Sequence, residues 1–83
     1  MALSAAILKI VNRKYDPSAF IERRFHRYDL GFKTDEEGNA IVLFMGKKDD
    51  SGNIRGRRYA RRLVRDHEGN IIKDHWDDKG PAV

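Results

Sequence analysis

One five-residue pattern, Asp-x-x-Gly-Asn, occurs three times in this chain, at Asp35–Asn39, Asp49–Asn53 and Asp66–Asn70. Aspartate favours the start of a type I turn, and glycine supplies the positive φ that a following bulge needs. Three such turns between β-prone runs predict a four-stranded antiparallel meander, with strands near residues 24–34, 40–48, 54–65 and 71–78. Ahead of them, Leu3, Ala6, Ile7, Ile10 and Val11 recur at helical spacing. That spacing predicts an amphipathic helix over about 3–14, ended by Asp16-Pro17 because the residue before proline avoids the helical region. Residues 17–22 carry two readings, a short helix capped by Asp16 or the lead-in to a strand. The expected fold is therefore a single α+β domain over residues 1–83, an N-terminal amphipathic helix packed on a four-stranded antiparallel β-meander.

The turns also imply a register. With Asp35 facing Asn39, Asp49 facing Asn53 and Asp66 facing Asn70, even residues oppose even residues throughout. The even face then collects Tyr28, Leu30, Phe32, Val42, Phe44, Ile54, Ala60, Val64, Ile72 and Trp76. The odd face collects Ile41, Leu43, Met45, Tyr59, Leu63 and Ile71. The even face carries more of the large aromatics and is the expected core. Gly46 falls opposite Gly56, which points to a bend or bulge.

Residues 55–65 hold six arginines. Tyr59, Ala60, Leu63 and Val64 in this stretch also fit a helical stripe, and the flanking turns favour strand. On the even face, Arg58 and Arg62 fall opposite Asp78 and Asp74, which reads as cross-strand ion pairing. On the odd face, Arg57, Arg61 and Arg65, with Lys73, have no acid directly opposite. They are expected to form a phosphate-contacting row beside Tyr59, since guanidinium forks match phosphate geometry.

The formal charge of +4 agrees with an anionic partner. The chain has no cysteine, so neither a disulfide nor a thiolate metal site can brace it, in keeping with a cytoplasmic protein. The apolar run Ala2–Val11 is too short to span a membrane and lacks a basic lead, so no membrane partner is expected. The histidines are His26, His67 and His75, and none sits in a pattern that suggests a triad. His75 and Asp77 share a strand face, but two ligands do not close a metal site. Asp49–Asn53 lacks the glycine and glutamate spacing of a calcium loop. The expectation is a non-enzymatic binding module with no cofactor or metal, whose arginine-rich sheet face contacts nucleic acid. The alternative is a protein-interaction or homodimerisation domain using the same face.

Overall fold

All three Asp-x-x-Gly-Asn segments close identically. In each, the aspartate N–H donates to the asparagine carbonyl at 2.8–2.9 Å, and the glycine N–H donates to the aspartate carbonyl at 3.0–3.1 Å. The carboxylates of Asp35, Asp49 and Asp66 accept from the N–H groups two and four residues later at 2.9–3.0 Å. Gly38, Gly52 and Gly69 take φ values of +85 to +87°, open to glycine without a Cβ penalty. Burial opposes the charge of Asp35, yet the N–H groups of Asn39 and Glu37 outweigh it and hold the carboxyl below its ordinary range.

The computed structural model describes residues 3–82. It contains helix α1 (Ala5–Val11) and strands β1 (Phe20–Phe25), β2 (Tyr28–Thr34), β3 (Ala40–Lys48), β4 (Ile54–Arg65) and β5 (Ile71–Ala82). The strands form one antiparallel sheet in the order β1-β2-β3-β4-β5. This corrects the expected four-stranded meander with an amphipathic helix over about 3–14 packed on it. The sheet has five strands, and the helix is only seven residues long.

The extra strand arises because the run 24–34 folds back on itself. Phe25 pairs with Tyr28 around His26 and Arg27, with His26 at φ +53°. Glycine or asparagine usually marks such a hairpin, and neither occurs here. The Arg24 side chain donates to the His26 carbonyl at 3.3 Å, and the Phe25 and His26 rings meet edge-on at 4.3 Å. Residues 17–22 resolve as a turn followed by the start of β1.

Helix α1 is capped by Ser4, whose hydroxyl accepts from Ile7 N–H at 3.3 Å. It ends at Asn12 because the following chain is claimed by the first turn. Lys14 bridges Asn39, and Tyr15 N–H donates to the Gly38 carbonyl at 2.9 Å. Thr34 fastens the same segment, its hydroxyl donating to the Asp16 carbonyl at 2.6 Å and accepting from Ala19 N–H at 2.8 Å.

The buried cluster comprises Ile7, Val11, Leu30, Phe32, Ala40, Leu43 and Tyr59. The expected even-numbered core is therefore also corrected. Residues Leu30 and Phe32 of β2 share their buried side with Leu43 of β3 and Tyr59 of β4. A bulge between Lys33 and Thr34 causes the switch, so that Leu30 opposes Met45 and Phe32 opposes Leu43. Between β3 and β4 the even-to-even register holds over the whole ladder, from Val42↔Ala60 to Lys48↔Ile54. Between β4 and β5, a shift at Val64/Arg65 changes parity again, and a further shift lies between Arg57 and Tyr59. Val64 consequently faces Lys73 and Ala60 faces Asp77, in place of the expected Ile72 and Trp76. A single inserted residue moves every later side chain to the opposite face.

Candidate functional site

Strand β4 presents its arginines alternately to the two sides of the sheet. Arg57 and Arg61 share the helix-covered side with Tyr59. Arg61 is the most deeply held, its side chain 6% exposed. Its Nε and Nη2 donate to the two carboxylate oxygens of Asp74 at 2.7 and 2.8 Å, and Nη1 donates to the Ala40 carbonyl at 3.3 Å. Its guanidinium also lies 5.8 Å from the Trp76 ring centroid. The Trp76 indole N–H donates to Asn12 at 3.1 Å.

The other arginines at odd positions are engaged as well. Arg57 Nε meets Asp78 at 3.0 Å, Arg55 Nε meets Asp49 at 2.8 Å, and Arg65 Nη2 meets Glu37 at 2.7 Å. The carboxylates record this pairing. Asp74 is held below the ordinary carboxylate range by the Arg61 hydrogen bonds, against partial burial. Asp78 is lowered to about 2, first by the Gly80 N–H and then by Arg57. Burial raises the Tyr59 hydroxyl above its ordinary value.

Arg58 and Arg62 occupy the opposite, uncovered side. Register places Arg58 beside Phe44, and Arg62 beside His75. Phe20 pairs with Lys33, which pairs with Val42, so these share the same side. Lys73 joins it opposite Val64. Lys33, Arg58, Arg62 and Lys73 are all exposed. Among the described residues, none of the four forms an ion pair or side-chain hydrogen bond. Acids on this side are otherwise occupied: Glu22 meets Lys48 at 2.7 Å, Asp29 meets Arg24 at 3.8 Å, and Asp77 meets His75 at 3.3 Å.

The sequence-predicted row is thus divided between surroundings. Tyr59 lies in the core, Arg57, Arg61 and Arg65 lie in ion pairs, and Lys73 lies on the uncovered side. The expected pairs Arg58–Asp78 and Arg62–Asp74 are each displaced by one residue, to Arg57–Asp78 and Arg61–Asp74. Sequence reasoning placed Lys33 on the exposed basic face but missed Phe20 and Phe44 as surface-forming residues. Turn positions carried no signal for them, because the parity switch occurs within the ladders.

Among the described residues, no three metal-ligating side chains cluster, and no helix is long and apolar enough to cross a membrane. No family model, curated protein or solved structure matches this chain.

Proposed function

We propose that the uncovered side of the sheet is a non-enzymatic binding surface for nucleic acid. The observation that carries this reading is the division among the β4 arginines. Arg55, Arg57, Arg61 and Arg65 each hold a carboxylate, whereas Arg58 and Arg62 hold none among the described residues. Arg58 and Arg62 are four residues apart on one strand, so their Cα atoms stand about 13 Å apart. Lys33 flanks Arg58 across the sheet, and Lys73 extends the row toward the β4–β5 turn. A polyanion offers repeated charges at this scale, and neutralising them releases counterions.

The testing experiment measures affinity for short DNA and RNA oligonucleotides over a range of salt concentrations, comparing wild type with Arg58→Gln/Arg62→Gln. Weaker binding and a shallower salt dependence support the reading. Absence of binding at low salt overturns it. A second reading, self-association, is favoured by one observation: Phe20 and Ile72 are 51% and 66% exposed. A dimer that persists at high salt in light scattering identifies that outcome.

A further inference from the structure

The uncovered side is not flat. Gly46 and Gly56 face each other across β3 and β4. A Cβ on Gly46 would run into the Arg55 carbonyl oxygen, and one on Gly56 into the Met45 carbonyl oxygen. This close backbone approach lets the sheet fold over itself. Ile54, from the start of β4, reaches across to β2 and lies over Gly31, where Phe20 arrives from β1. A Cβ on Gly31 would stand 2.6 Å from Phe20 Cζ and 2.7 Å from Ile54 Cδ1. The result is a concavity of about 740 Å³, walled by Phe20, Phe44, Ile54 and Pro81, with Lys33 and Arg58 among its lining.

We infer that this concavity seats one unstacked nucleobase, so that the strand bound by the uncovered face is single. The inference rests on the nucleic-acid reading above and specifies its substrate class. Two aromatic rings and two aliphatic side chains provide an apolar seat for a planar ring. Lys33 and Arg58 provide cations for the phosphates on either side. The volume lies within the usual range for small-ligand sites, roughly 300–1,000 Å³. Bases in a duplex are stacked and paired, and cannot enter a recess of this shape without being extruded. Single strands offer their π-faces directly, and aromatic side chains accept them with little sequence preference. Phe20 is suited to this role because half of it remains exposed even with its tip against Gly31 and Ile54. The charge surroundings agree, since the neighbouring acid Glu22 is neutralised by Lys48 at 2.7 Å.

The test compares fluorescence anisotropy of a labelled oligothymidylate with that of a duplex of the same length, at one fixed salt concentration. Wild type, Phe20→Leu, Phe20→Tyr and Arg58→Gln/Arg62→Gln are measured, each first shown to melt cooperatively. Phe20→Leu keeps an apolar side chain and loses the ring. The expected result is a single-strand preference of about tenfold, reduced about fivefold by Phe20→Leu and retained by Phe20→Tyr. Equal affinity for both forms, or indifference to Phe20→Leu, overturns the inference. If the double arginine variant then still weakens both forms, the nucleic-acid reading survives alone. No binding of either form overturns both. A dimer that Phe20→Leu dissociates also overturns the inference, because the recess then receives a second copy of the chain.

Discussion

Arg61 and Asp74, diagonal neighbours across β4 and β5, form a two-pronged ion pair with donor–acceptor distances of 2.7 and 2.8 Å, Arg61 lying directly opposite Trp76 and Asp74 opposite Leu63. The guanidinium is buried, whereas the Asp74 side chain is 39% exposed. Removing the carboxylate would leave a buried cation with the Ala40 carbonyl and the face of the Trp76 ring in place of its two charged hydrogen bonds. Asp74→Asn is therefore expected to cost about 1–2 kcal/mol in urea denaturation, the lower part of the range for charged hydrogen bonds, because water reaches one side.

The same pair sets a pH dependence. The folded-state pKa of Asp74 lies below its ordinary value, so folding favours the ionised form. Its contribution is present above the unfolded carboxyl pKa, about 3.9, and is lost as pH falls through the lower folded value. The stability gap between wild type and Asp74→Asn should be constant near neutrality and close below about pH 4. A gap that widens on acidification contradicts the pairing.

Core truncation separates the observed register from the parity-preserving one. Leu43 is fully buried, and Leu43→Ala is expected to cost about 2–5 kcal/mol. Ile72 is 66% exposed, and Ile72→Ala is expected to change stability by no more than about 0.5 kcal/mol. The even-numbered core would produce the opposite ranking in chemical denaturation.

Glycine requirements differ sharply by position. Gly46→Ala forces a backbone collision with Arg55 and is expected to cost about 3 kcal/mol or more, at the upper end for overpacking. At Gly52 no atom lies near an added Cβ, and only the positive φ opposes substitution. Gly52→Ala should cost about 1–2 kcal/mol, so thermal melting of the two variants orders them.

The arginines of β4 are expected to split by function. Arg58→Gln/Arg62→Gln should lower the slope of log affinity against log salt by about 1.4–1.8, two phosphates' worth, with little change in melting temperature. Arg61→Gln should instead lower the melting temperature, since it empties the Asp74 pair. Equal effects of both variants on binding and stability would remove the distinction between the two sides.

By itself, the sequence determined what is local. Each Asp-x-x-Gly-Asn turn is built within five residues by one carboxylate and one glycine φ, so its structure follows from composition at those positions. The opposition of Gly46 and Gly56 follows too, because no bulge interrupts the ladder between β3 and β4. Only the tertiary structure decided which side of the sheet is covered and which arginines hold a carboxylate among the described residues. Three equal turns lead into ladders with different registers, so turn chemistry cannot settle parity. Two of the three register shifts sit beside residues held by distant segments. Thr34 is bonded to Asp16 and Ala19, and Arg65 to Glu37. The hidden hairpin at His26 has the same character, since no residue there requires a turn. In a structure of period two, one extra residue exchanges the faces, and its position depends on contacts made far along the chain.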